Sequence, residues 1–303
     1  MTLVDVSTWT HIPVMFEEVI REVEPVFSRG MVTLFDGTFG RGGHYRCLKQ
    51  AYGEKLSRVV AFDQDQEAIG FAKEYFSEDI SSSRLILHHK NFSEVDTLPD
   101  LRFDVMLLDL GVSSPQLDTA ERGFSFLGDG PLDMRMNKDN PVTAAEIIND
   151  WTEKDLIEIF QRYGEIPSPY RVVRAIVHDR KWNQFRTTRE LASLIERVEG
   201  WRKKGFHPAT LYFQALRMVV NRELESLELF LQKAPAHLNP DGLLLIISFH
   251  SLEDRLVKWF YRDHPALGVM SVYKKVLTPT EEEMKRNPRS RSAKMRVFRR
   301  SSS

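Results

Sequence analysis

Short apolar runs alternate with longer amphipathic stretches through the first third of the chain. Residues 31–35, 58–62 and 103–108 are apolar runs, and each gives way to an acid, at Asp36, Asp63 and Asp109. Residues 84–88 form a weaker run of the same kind. Between them, residues 44–52 and 66–76 carry helical spacing, and Asp65 stands where a helix cap is needed. Near-continuous apolar strands alternating with helices predict an α/β fold with a doubly wound, mostly parallel sheet.

The pattern changes after Leu110. Residues 111–141 form a long loop rich in Gly, Pro, Ser and Asp, and loops of that length are usually functional or disordered. Residues 143–202 show only helical periodicity. Thr152 with Asp155 marks a helix start, Gly164 a stop after 153–163, and Thr188 a cap for 189–198. One long helix is predicted over 208–232, with Pro208 at its first position. Strand-like runs return at 243–249, 269–276 and 295–298, with Ser251 and Asp254 opening a helix over 252–262. The economical reading is one sheet interrupted by an all-helical insertion between its fourth and fifth strands. The sheet domain then takes residues 1–115 and 213–303, and the insertion 116–212.

Composition narrows the classes. A chain of 303 residues, 42% hydrophobic and 28% charged, supports a large packed core and excludes global disorder. Cys47 is the single cysteine, so neither an intrachain disulfide nor a cysteine metal cage can form, and a cytoplasmic, reducing setting is expected. No apolar run is long enough to span a bilayer, and the N-terminus lacks the basic start of a signal peptide. Net charge is −1 but uneven: residues 285–303 hold eight basic residues and no acid. A basic end on an acidic body suits a polyanionic partner, and equally a solvated tail.

Four stretches carry candidate chemistry. Residues 35–44 read Phe-Asp-Gly-Thr-Phe-Gly-Arg-Gly-Gly-His between a strand and a helix. Glycines there let the backbone turn tightly and approach a ligand at a helix N-terminus. The spacing is not the dinucleotide G-x-G-x-x-G, which favours another nucleoside ligand over a nicotinamide cofactor. Asp63, at the end of the second strand, can accept both hydroxyls of a ribose. Phe92, after the third strand, suits either an adenine neighbour or the core. Asp109 leads into Leu110-Gly111-Val112-Ser113-Ser114-Pro115-Gln116 at the strand edge where open sheets bind ligands. His250 leaves the fifth strand on the same edge. His88 and His89 point to opposite faces, so no metal site is expected. No hydrolase elbow is present, and no spacing supports a triad of Ser113, His250 and Asp109.

These motifs resemble the RsmH (MraW) family, bacterial S-adenosylmethionine-dependent methyltransferases with a class I, Rossmann-like fold. The matching segments are HIPVMFEEV, DGTFGRGGH, AFDQDQEAI, LLDLGVSSPQLDTAERGFSF, DGPLDMRM, TAAEIIN, HPATLYFQALRMVVN, ISFHSLEDRLVK and NPRSRSAKMR, from residue 11 to the C-terminus. The resemblance implies methylation of the N4 amine of a cytidine in 16S ribosomal RNA of the small subunit. It implies S-adenosylmethionine contacts at Gly42, Gly43, His44, Asp63, Phe92, Asp109 and Gln116, and a substrate-recognition role for the insertion. Asp109 and Ser113, with His250, are the candidates for orienting and deprotonating the amine, and Phe124 and Phe126 for walling the base. Two segments depart from the family pattern, at residues 166–170 and at Leu211. A nicotinamide-dependent oxidoreductase, an inactive RNA-binding assembly protein, and a methyltransferase with another nucleic acid or protein target are the competing readings.

Overall fold

The computed structural model describes residues 12–98, 100–200 and 207–302. They form two compact units, residues 1–111 with 224–303, and residues 112–223.

The first unit is built on a seven-stranded sheet in the order β3-β2-β1-β4-β5-β7-β6. Its strands are β1 (Val32–Asp36), β2 (Leu56–Asp63), β3 (Leu85–His89), β4 (Phe103–Asp109), β5 (Leu238–Ser248), β6 (Val269–Ser271) and β7 (Lys294–Arg300). The first five pair in parallel, and β7 pairs antiparallel with both β5 and β6. Its helices are α1 (Phe16–Phe27), α2 (Gly43–Tyr52), α3 (Gln66–Tyr75) and α4 (Ser77–Ser81). The second unit carries α5 (Ser114–Asp118), α6 (Ala144–Asp150), α7 (Glu153–Arg162), α8 (Tyr170–Asp179), α9 (Thr188–Glu199) and α10 (Thr210–Val220). Then follow α11 (Glu223–His237), α12 (Ser251–Asp263) and α13 (Glu281–Arg286).

Alternation along each strand feeds two cores. Leu34, Val59, Val105 and Leu245 join the side chains of α1 and α2 on one face. Phe35, Val60, Met106 and Leu244 join those of α11 and α12 on the other. There Phe35 contacts Phe62, Phe103 and Phe230 with ring centroids 5.1, 5.5 and 6.1 Å apart. Each such ring contributes about 1.5–3 kcal/mol through burial. A sheet covered on both faces leaves its strand ends as the place for ligands.

The helical unit has its own core, with Leu156, Phe160, Val172, Ile176, Leu191, Ile195, Phe213 and Leu216 buried together. Its long connection is tied down rather than loose. Arg122 donates to the carbonyls of Arg135 and Met136, and Asn221 bonds the Met134 carbonyl and the Met136 N–H. Thr143, Thr152 and Thr187 cap α6, α7 and α9.

Several expectations change. The helix expected over 208–232 is two helices, parted at Asn221 and at Arg222, whose φ is 49°. All of α10 belongs to the helical unit, because Tyr212, Phe213 and Leu216 fill its core; the sheet unit resumes at Leu224. Thr187, not Thr188, caps α9; Thr188 is buried and donates to the Gly128 carbonyl. His250 rather than Ser251 caps α12, and Asp254 pairs with Arg296 and Lys294. The basic end is no tail: β7 buries Met295, Val297 and Phe298, and Arg300 donates to the Leu238 carbonyl. Among the described residues, no helix is long and apolar enough to cross a membrane.

Candidate active site

β1, β2 and β4 end side by side, with Asp36 in register with Ala61 of β2 and Leu107 of β4. Their terminal acids Asp36, Asp63 and Asp109 therefore share one edge of the sheet.

The chain leaving β1 has to cross this edge and enter α2. Gly37 donates to the Leu107 carbonyl at 3.0 Å and Phe39 to the Phe62 carbonyl at 3.1 Å, so the loop is stapled to both neighbouring strands. A side chain at Gly37 would overlap Leu108 and bring its Cβ within 2.8 Å of Phe92 Cβ. At Gly42, which caps α2, φ is +71° and a Cβ would lie 2.5 Å from the Phe76 ring. Both glycines are thus demanded by space, the second also by backbone conformation.

Asp63 is held by two backbone donors. Oδ2 accepts from Gly40 N–H at 2.7 Å, and Oδ1 from Asp65 N–H at 2.8 Å. Each oxygen keeps a lone pair for a further donor. Burial raises this carboxyl to about 6, against the pull of the two N–H groups.

Asp36 lies deeper. Burial pushes its carboxyl up to about 7, opposed by His44 and by the Thr38 N–H that Oδ1 accepts at 3.1 Å. Thr38 turns its hydroxyl oxygen to the Asp109 N–H at 2.6 Å, which ties the loop after β1 to the end of β4. His44, in the first turn of α2, is buried with Nε2 3.5 Å from Asp109 Oδ2. Among the described residues, neither His44 ring nitrogen has a hydrogen-bond partner, and neither has Asp109 Oδ1, although all three atoms are buried. Buried polar atoms are nearly always satisfied, so three orphans at one point make this a candidate ligand site.

The other expected residues take varied positions. Gly42 and Gly43 open α2 beside His44. Phe92 is 8% exposed and meets Phe230 edge-on at 5.7 Å, so most of its ring lies in the core. Ser113 and Gln116 belong to the helical unit, where the Gln116 side-chain oxygen accepts from Ser113 N–H at 2.9 Å across the start of α5. His250 accepts the Glu253 N–H on Nδ1 at 3.3 Å as the cap of α12, and Glu253 Oε2 accepts from Phe249 N–H. Phe124 is buried in the helical core, and Phe126 packs on His207 and Phe213 at 4.5 and 4.9 Å. Asp36 and Thr38 went unassigned from the sequence. The signal available was an acid ending the strand directly before the glycine loop.

Comparisons with known proteins give the family. The family model described as the MraW methylase family matches residues 8–301. A relative in Bdellovibrio bacteriovorus named ribosomal RNA small subunit methyltransferase H is 53% identical over 291 residues, covering 96% of this chain and 88% of that protein. Proteins of the same name in Cyanothece sp. and Gloeothece citriformis are 45% and 43% identical. The Cyanothece alignment covers 96% of this chain and 94% of its relative, and the Gloeothece alignment 99% and 97%. With a family match over nearly its whole length and relatives this similar, the chain belongs to the MraW methylase family.

Proposed function

We infer that this protein methylates the exocyclic N4 amine of a cytidine in 16S ribosomal RNA of the small subunit, using S-adenosylmethionine. The observation that carries the reading is the group of unpartnered polar atoms on His44 and Asp109, beside the glycine loop and Asp63.

The residues fit the cofactor. The remaining lone pairs of Asp63 suit the two hydroxyls of a ribose, and Gly42 and Gly43, at the start of α2, are assigned further cofactor contacts. His44 and Asp109 offer both donor and acceptor atoms to the polar end of such a molecule. Phe92 and Gln116 are assigned further cofactor contacts. When bound, S-adenosylmethionine supplies a methyl group already activated by its sulfonium charge.

A cytosine amine is a weak nucleophile because its lone pair is delocalised into the ring. Catalysis therefore rests on orientation and on an acceptor for the proton it loses. Asp109 Oδ1 is that acceptor: it takes a hydrogen bond from the amine, returns electron density to nitrogen and receives the proton. Asp109 Oδ2 lies 3.5 Å from His44 Nε2. Thr38 fixes Asp109 through its backbone, and the loop carrying Ser113 follows Asp109 directly in the chain. His250 holds the turn after β5 as a helix cap.

The test incubates the protein and labelled S-adenosylmethionine with small subunits from a strain lacking the corresponding enzyme. Nucleoside mass spectrometry then seeks N4-methylated cytidine. It should form with the wild type and be lost with Asp109→Ala while cofactor affinity persists in part. Absence of the product with wild-type protein overturns the substrate; wild-type turnover by Asp109→Ala overturns its role.

A further inference from the structure

The helical unit carries an exposed tryptophan that its own fold does not use. Trp182 is 79% exposed on the turn between α8 and α9. Leaving an indole in water forfeits burial energy, and Trp is among the residues enriched at interfaces. Nor is the turn a slack loop. Trp182 and Asn183 donate their N–H groups to the Asp179 carbonyl at 3.0 and 3.1 Å. Phe185 is buried, with its N–H and C=O both clasped by the Asn149 side chain at 2.9 Å. Arg180 reaches the Ile148 carbonyl at 2.7 Å, and Arg186 accepts from Leu132 N–H at 2.9 Å. The indole is presented on a rigid platform, which lowers the entropy cost of binding.

Its surroundings are cationic. Between residues 171 and 189 there are six Lys and Arg and a single acid, Asp179, while Glu190 follows with its Oε2 accepting the N–H groups of Arg186 and Thr187. Asp179 is occupied by Arg197 at 2.7 Å and His178 at 2.9 Å, and both hold its carboxyl below the usual range. Lys181, Arg186 and Arg189 are exposed. Among the described residues, none of these three side chains has a carboxylate within ion-pairing distance. An aromatic face between unpaired cations matches the chemistry of unpaired nucleic acid, whose bases stack and whose phosphates seek Lys and Arg.

We propose that Trp182 is a stacking platform for an unpaired base of the RNA substrate, with Lys181 and Arg186 taking the flanking phosphates and Arg189 adding to the field. The proposal rests on the reading of this protein as an RNA methyltransferase and names a substrate-docking surface for it on the helical unit.

The test titrates the full chain with a short single-stranded oligoribonucleotide, following tryptophan fluorescence and RNA anisotropy, with a melting curve for each variant. Stacking should quench the fluorescence that Trp182 contributes, and Trp182→Phe should lose that quenching while keeping most of the affinity. Trp182→Ala should bind about 5- to 150-fold more weakly, the usual worth of one stacked base. Lys181→Ala with Arg186→Ala should flatten the salt dependence of log K by about 1.4, near 0.7 for each lost phosphate contact. Unchanged affinity and quenching in Trp182→Ala would overturn the proposal. So would a loss of binding to assembled subunits but not to free RNA, which would assign the surface to a protein partner. These readouts need no methyl transfer, so failure of the surface and failure of the catalytic reading separate cleanly.

Discussion

Asp36→Asn probes the most costly group at the candidate site. Asp36 is 2% exposed and its carboxyl titrates at about 7, whereas an unfolded aspartate titrates near about 3.9. Because the folded value is raised, the folded protein holds this proton more tightly than the unfolded chain. Stability is then fullest below about pH 4 and declines as pH rises towards 7, by about 1.4 kcal/mol for each pH unit. The cost reaches about 4 kcal/mol and is constant above pH 7. An asparagine has nearly the same shape, keeps an oxygen for the Thr38 N–H and carries no charge to bury. The variant should therefore be more stable than the wild type by about 2–4 kcal/mol at pH 8, and by only about 1 kcal/mol at pH 4.5. Paired urea titrations at these two pH values, followed by circular dichroism, measure the difference. Methyl transfer at pH 8 should fall in the same variant, because the negative charge facing His44 is gone. A stability difference that is the same at both pH values would refute burial of the charge as the cause. Full activity in the more stable variant would show that the acid has no part in the chemistry.

Further outcomes are expected. Asp63→Ala should weaken S-adenosylmethionine binding about 10- to 150-fold in calorimetry, the worth of one charge-assisted hydrogen bond of about 1.5–3 kcal/mol. Wild-type binding should likewise weaken as pH drops through about 6, where Asp63 gains its proton. Gly42→Ala should cost about 2–4 kcal/mol and reduce cofactor affinity, since the new methyl meets Phe76 and φ is +71°; an unaltered melting curve would contradict this. Deleting residues 294–303 should abolish folding rather than trim RNA affinity, because it removes β7 from between β5 and β6. The milder Phe298→Ala should cost about 3–5 kcal/mol in chemical denaturation.

How much of this was legible beforehand depended on the range of the interaction. The parallel strands were readable because a strand buried on both faces must be apolar at every position, and residues 103–108 are almost entirely so. Asp63 was readable from its place at a strand end. Asp36, also at a strand end, was not singled out, because its environment comes from His44 on α2 and from the neighbouring strands. The break at Asn221 was hidden because residues 208–232 keep helical spacing throughout; the Asn221 side chain is taken by Met134 and Met136, far back in the chain. The charge count left a polyanion-binding end and a solvated tail open because it ignores pairing, and Asp254, which holds Lys294 and Arg296, is some 40 residues away.

The amino-acid sequence by itself determined the alternation of strands and helices, the glycine loop, the acids that close β1, β2 and β4, and the family. These are local facts, set by side-chain periodicity and by which residues can turn a backbone sharply. Only the tertiary structure decided what those acids experience. It buries Asp36 until its carboxyl titrates at about 7, and it occupies both oxygens of Asp63 with backbone donors. It also leaves both His44 ring nitrogens and Asp109 Oδ1 buried without a hydrogen bond among the described residues. Burial and hydrogen-bond satisfaction are properties of three-dimensional neighbours, and no spacing along the chain encodes them.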